Sequence, residues 1–172
     1  MSEQIIRALL IEDDAAKARF VRETMARAEG FELESIDQLG EGLIRLQQPG
    51  VDVVLLDLAL ADAPGLEALR SVNEAASRIP IVALSASDDR AQERDAVKFG
   101  AEDDLVMGAF TSDLPARSIR HAIDRRQARD AIAQTRDSAL ESARLRGDSA
   151  RLCQVITNLV GNAVGYPLRD FD

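Results

Sequence analysis

Three short apolar runs constrain this chain more than any other feature, because each ends in a residue able to do chemistry. Ala8-Leu9-Leu10-Ile11 runs into Glu12-Asp13-Asp14, Val53-Val54-Leu55-Leu56 into Asp57, and Ile81-Val82-Ala83-Leu84 into Ser85. Apolar runs of this length, separated by stretches with helical composition, are expected to be strands buried on both faces of a parallel sheet. In an open α/β sheet, ligands sit outside the carboxyl ends of the strands. Three strands therefore deliver carboxylates and a hydroxyl to one edge. Such a set can hold a divalent cation and present an aspartate for covalent phosphoryl transfer.

The intervening segments complete the pattern. Strands are expected over about 5–11, 31–36, 51–57, 80–85 and 103–107, and helices over about 14–29, 38–48, 66–77 and 88–99. Gly30, Pro49-Gly50 and Gly100 close three of these helices. A fifth helix is expected to begin around Ser112-Asp113-Leu114-Pro115, where cap-type residues precede a proline. From Pro115 to about Leu145 there is no glycine or proline, so this helix is expected to run on as one long arm. Its larger apolar residues, Ile119, Ile123, Ile132, Leu140 and Leu145, are irregularly spaced, yet such an arm can pair with a second copy as a coiled coil.

Four motifs in this order resemble the receiver domain of bacterial two-component response regulators, over roughly residues 4–126. They are Leu10-Ile11-Glu12-Asp13-Asp14, Leu55-Leu56-Asp57-Leu58 with Gly65-Leu66-Glu67, Ile79-Pro80-Ile81-Val82-Ala83-Leu84-Ser85-Ala86, and Phe99-Gly100-Ala101-Glu102-Asp103-Asp104-Leu105-Val106-Met107. The resemblance implies an α/β fold, a doubly wound (βα)5 parallel five-stranded sheet of flavodoxin-like receiver type, followed here by the helical arm. It further implies that Asp57 accepts a phosphoryl group from a histidine kinase or phosphotransfer protein. Glu12 and Asp13 would hold Mg²⁺ with Asp57 and the backbone carbonyl of Ala59, and Ser85 would donate a hydrogen bond to the phosphoryl group.

Two positions depart from the family. Receivers place a lysine at the end of the fifth strand, where this chain has Met107, and an aromatic switch residue three positions earlier, where it has Asp104. Of the two lysines in the chain, Lys17 falls in the first helix and Lys98 at the far end of the fourth, so neither is an obvious substitute. Phosphorylation is therefore expected to be poor and weakly coupled to the usual output face. His121 is followed by Ala122 rather than an acid and reads as a helix-surface residue.

Residues 148–164 resemble the asparagine-containing helix of histidine-kinase ATP-binding domains, with Asn158 and Asn162 one turn apart, and 139–145 resembles the segment entering the phosphorylatable helix of hybrid kinases. No His-Glu-x-x-Thr-Pro segment and no glycine-rich box accompanies them, so neither ATP binding nor enzymatic activity is expected. The expected organisation is a receiver over 1–126, a helical linker arm over 127–147 and a short helical tail over 148–172.

Charge and composition bound the partners. Thirty acids against 21 bases give a net charge of −9, which argues against general nucleic-acid binding. Residues 116–151 carry a local +4, leaving −13 on the remainder, a distribution suited to protein contacts. The last 25 residues are too few for a three-helix DNA-binding module. Cys153, the single cysteine, excludes an internal disulfide and is read as a packing residue, consistent with a cytoplasmic location. No stretch approaches the roughly 20 apolar residues that span a bilayer, and no signal peptide is evident. The expectation is a cytoplasmic signalling receiver that homodimerises through its arm. The alternative is a degenerate receiver acting independently of phosphorylation, as adaptor or decoy regulator of a histidine kinase.

Overall fold

The computed structural model of the chain describes residues 5–63, 65–85, 96, 99–107, 114–145, 154, 157 and 158. Its elements are β1 (Ile6–Ile11), α1 (Ala15–Met25), β2 (Phe31–Ile36), α2 (Leu39–Leu46), β3 (Val53–Asp57), α3 (Leu66–Ala75), β4 (Ile81–Ser85), β5 (Asp103–Val106) and α4 (Leu114–Leu145). The strands form one sheet in the order β2-β1-β3-β4-β5, and every neighbouring pair is parallel. This is the doubly wound flavodoxin-like arrangement. Its topological switch point lies between β1 and β3, where a crevice opens at the strands' carboxyl ends.

Strand periodicity builds the two faces. Leu9, Ile11, Val54, Leu56, Ile81 and Ala83 point to one side, where Leu39 and Leu46 of α2 and Ala68, Leu69 and Val72 of α3 cover them. The alternate residues Ala8, Leu10, Val53, Leu55, Val82, Leu84 and Leu105 point to the other side, beneath Ala18, Val21 and Met25 of α1 and Ile119 and Ala122 of α4. Each central strand is buried on both faces, which is why its sequence is continuously apolar rather than alternating. Edge strand β2, with Glu32 and Glu34 exposed, alternates as its sequence does. Gly42 lets α2 settle onto β1, since a Cβ there would lie 2.6 Å from Ile11 Cδ1.

One helix differs from expectation, and another lies mostly outside the described residues. α1 ends at Met25, not 29. Ala26 caps it and the chain turns to bring Gly30, at φ +81°, under β1, where its carbonyl accepts from Ile6 N at 2.8 Å. Of the helix expected over 88–99, Ala96 is helical and buried; 86–95, 97 and 98 lie outside the described residues.

α4 is continuous for 32 residues. Ile119 is fully buried in the core and Ile123 packs against it, so two residues expected on an arm stripe belong to the sheet's cover instead. Residues 131–138 are all exposed, Ile132 at 67%. The chain divides into two compact units, Met1–Gln127 and Ala128–Asp172.

Candidate functional site

The residues predicted to carry chemistry arrive at the switch point by simple geometry. β1 hands Glu12 and Asp13 to the edge, and β3 ends on Asp57 beside them. One carboxylate oxygen from each lies within 4.8 Å of the other two. Asp13 is exposed, whereas Glu12 and Asp57 are 2% and 1% exposed. Asp13 Oδ2 accepts from Ala61 N at 2.9 Å, which ties the loop after β3 to the end of β1.

Glu12 is strongly perturbed. Burial pushes its pKa up to about 7; the hydrogen bond from Asp14 N at 2.9 Å opposes this, Asp57 adds to it, and Lys17 opposes it again. Its Oε2 is buried and has no hydrogen-bond partner. A buried acceptor oxygen of this kind is costly unless a donor or cation meets it. Three converging carboxylates with an oxygen to spare form a hard-oxygen donor set, and that chemistry fits Mg²⁺. Ala59, whose carbonyl is the fourth expected ligand, donates its amide to Asp57 Oδ1 at 3.1 Å.

Asp57 Oδ2 accepts from Lys17 Nζ at 2.7 Å, and the same ammonium lies 3.9 Å from Glu12 Oε1. Lys17 is therefore a member of the site, contrary to the expectation that set it aside. Asp14 explains how it gets there. This residue caps α1, accepting from Ala16 N at 2.7 Å and Lys17 N at 3.2 Å, so Lys17 falls in the first turn. Helical side chains lean toward the N-terminus, which here is the carboxyl end of β1. Val53, Leu55 and Asp57 also alternate onto the face that α1 covers. Burial alone would lower the pKa of the Lys17 ammonium, but the hydrogen bond and charge of Asp57, with Glu12 and Asp14, carry it above its usual value. The signal was present in Asp14-Ala15-Ala16-Lys17: a cap residue followed three positions later by a cation.

The other half of the edge is built differently. Ser85, 3% exposed, donates from Oγ to Asp104 Oδ2 at 3.0 Å. Met107 packs its side chain against the apolar cluster under α1 and α4. Asp103 accepts from Ser118 Oγ and lies 3.3 Å from Arg125 Nη2, so β5 is fastened to α4. His121 is exposed on α4, and Asn158 is helical and exposed. Lys98, Cys153, Asn162 and most of the expected tail helix lie outside the described residues. No described helix is long and apolar enough to cross a membrane.

Comparison with known proteins bears on the family and the fold. A family model described as the response regulator receiver domain matches residues 8–107. The cell cycle transcriptional regulator CtrA of Caulobacter vibrioides is 35% identical over 121 residues, which are 70% of this chain and 51% of that protein. The cell cycle response regulator CtrA of Brucella ovis is 36% identical over the same length and shares. The chain thus spans about half the length of the curated relatives it matches. A response regulator receiver domain protein from Clostridium thermocellum superposes with a TM-score of 0.64 at 22% identity, over 72% of this chain and 98% of that one. The receiver domain of a sensor histidine kinase from Pseudomonas aeruginosa PAO1, solved with a magnesium ion coordinated in its active site cleft, gives 0.59 at 24% identity over 70% and 98%. At these identities the solved structures bear on the fold alone.

Proposed function

The chain belongs to the response regulator receiver domain family of two-component signalling, and from that premise we propose that it accepts a phosphoryl group on Asp57. The observation that carries this reading is the convergence of Glu12, Asp13 and Asp57 at the switch point, with one buried carboxylate oxygen unpartnered. The donor is a phosphohistidine of a kinase or phosphotransfer protein. An Asp57 carboxylate oxygen forms the new O–P bond while the donor's P–N bond breaks and its electron pair returns to the imidazole. The product is an acyl phosphate. Glu12, Asp13, Asp57 and the Ala59 carbonyl would hold Mg²⁺, which when bound would neutralise the clustered acids and polarise the phosphoryl group. Ser85 donates a hydrogen bond to a phosphoryl oxygen once it leaves Asp104.

Transfer is slow in this reading. Met107 removes the strand-end cation, whose charge-assisted contact is worth roughly 1.5–3 kcal/mol. Asp104 holds the Ser85 hydroxyl, and its carboxylate does not suit the apolar slot of an aromatic switch. Output passes through protein contacts of residues 127–147, with homodimerisation of that arm, in the cytoplasm. The exposed Ile132 and the run of exposed side chains over 131–138 support a surface of this kind. Sedimentation velocity of the full chain at high micromolar concentration tests the dimer: a persistent monomer contradicts it.

A second reading, a phosphorylation-independent adaptor or decoy of a histidine kinase, is favoured by the internal pairing of the site. Lys17 on Asp57 and Ser85 on Asp104 satisfy these groups without a phosphoryl ligand. Acetyl phosphate labelling with Mg²⁺ separates the two: a phosphoryl group on Asp57 supports the first, and none, alongside co-purification with a kinase, supports the second.

A further inference from the structure

The strand-end lysine of the family has no counterpart on β5, yet the site still holds an ammonium. It comes from the helix instead. Lys17 Nζ is 2.7 Å from Asp57 Oδ2, the atom class that attacks phosphorus, and 3.9 Å from Glu12. Met107 packs against the same face of the sheet that α1 covers, so the cation and the residue that displaced it serve one side of the crevice. The Lys17 side chain is 27% exposed, neither locked into the core nor free in solvent. Four methylenes and partial exposure leave the ammonium room to move as charge moves.

We infer that Lys17 is the phosphoryl-binding cation of this chain, supplied from the first turn of α1 in place of the lysine absent at Met107. Before transfer it holds Asp57 and partly offsets the repulsion among three acids. During transfer an Asp57 oxygen becomes bonded to phosphorus and loses its charge, while negative charge accumulates on the phosphoryl oxygens. Lys17, protonated throughout, follows that charge from the carboxylate to the phosphoryl group. Its two roles oppose one another: as a cation among the acids it competes with Mg²⁺, and as a phosphoryl contact it assists the acceptor reaction.

This inference rests on Asp57 being a phosphoryl acceptor, and the opposition gives a test that a purely structural lysine does not pass. The full chain is titrated by NMR with Mg²⁺ alone, and then with beryllofluoride, a phosphoryl mimic, at saturating Mg²⁺. Lys17→Met should weaken beryllofluoride binding by about tenfold or more and tighten Mg²⁺ binding severalfold. Lys17→Arg should retain most of the beryllofluoride affinity, and the double variant Lys17→Met, Met107→Lys should regain it. Beryllofluoride affinity in Lys17→Met within twofold (about 0.4 kcal/mol) of a binding wild type overturns the inference, as does a joint fall of both affinities. A wild type that binds Mg²⁺ but no beryllofluoride overturns the acceptor reading itself, and this inference with it.

Discussion

The carboxyl ends of β1 and β3 and those of β4 and β5 border the same crevice but are finished on different principles. At β1 and β3, two buried acids and one exposed acid converge within 4.8 Å, leaving a carboxylate oxygen of Glu12 unpartnered. That arrangement is poor for an isolated chain and good for binding a cation. At β4 and β5, Ser85 is already bonded to Asp104, and Met107 lies against the core. There the hydroxyl that would meet a phosphoryl group is already engaged. The contrast separates two capacities that a receiver normally couples: accepting a phosphoryl group, and registering that it has arrived. In the proposed reading the first keeps its parts, with Lys17 of α1 as the cation, while the second has Asp104 where the family carries an aromatic.

The contrast can be broken most completely at Asp57. Asp57→Asn should abolish acetyl phosphate labelling, read by phosphate-affinity gel, because the proposed reading makes Asp57 the nucleophile.

Glu12 gives the next largest effect. Its folded pKa of about 7 lies above its ordinary 4.5, so between those values the folded chain binds a proton that the unfolded chain does not. The metal-free protein should lose stability as pH rises through this window, by on the order of 3 kcal/mol for this group, and level off above it. Glu12→Gln should remove that slope. Urea unfolding in a chelator at pH 5 and pH 8 measures it, and Mg²⁺ should restore wild-type stability at the higher pH.

Met107→Lys sharpens the comparison from the other side. It should raise the labelling rate by at most about tenfold, since Lys17 already supplies one cation, and by more in a Lys17→Met background. Equal rates in wild type and Met107→Lys would show that the strand-end cation is dispensable here. The smallest effect belongs to Asp104→Ala, which frees the Ser85 hydroxyl. One neutral-range hydrogen bond is worth about 0.5–1.5 kcal/mol, so retention of the phosphoryl group, followed by the decay of labelled protein, should lengthen severalfold.

The sheet was legible because burial on both faces leaves a plain mark: Val53 to Leu56 cannot be anything but apolar when α1 and α3 cover opposite sides. The acid cluster followed from it, since Glu12 and Asp13 directly follow buried β1 and Asp57 is the last residue of buried β3. What escaped was set by contacts distant in sequence. Lys17 and Asp57 are 40 residues apart, and placing the start of α1 at 14 rather than reading Asp14 as its cap hid which way Lys17 leans. Ser85 and Asp104 meet because β4 and β5 pair with Ala83 opposite Asp104, a register that the residues alone do not declare. The length of α1 was overestimated because Ala26-Arg27-Ala28 suits a helix; the need to deliver the Gly30 carbonyl to Ile6 ends it sooner. Ile119 was assigned to an arm stripe because a long helix shows no break where it leaves the core.

The account turns on whether Asp57 takes a phosphoryl group, and mass spectrometry of the full chain after incubation with acetyl phosphate and Mg²⁺ asks this directly. The predicted result is a single, slowly accumulating phosphoryl adduct on the peptide containing Asp57, absent in chelator and faster in Met107→Lys. A folded, Mg²⁺-binding chain that acquires no adduct at Asp57 would contradict it.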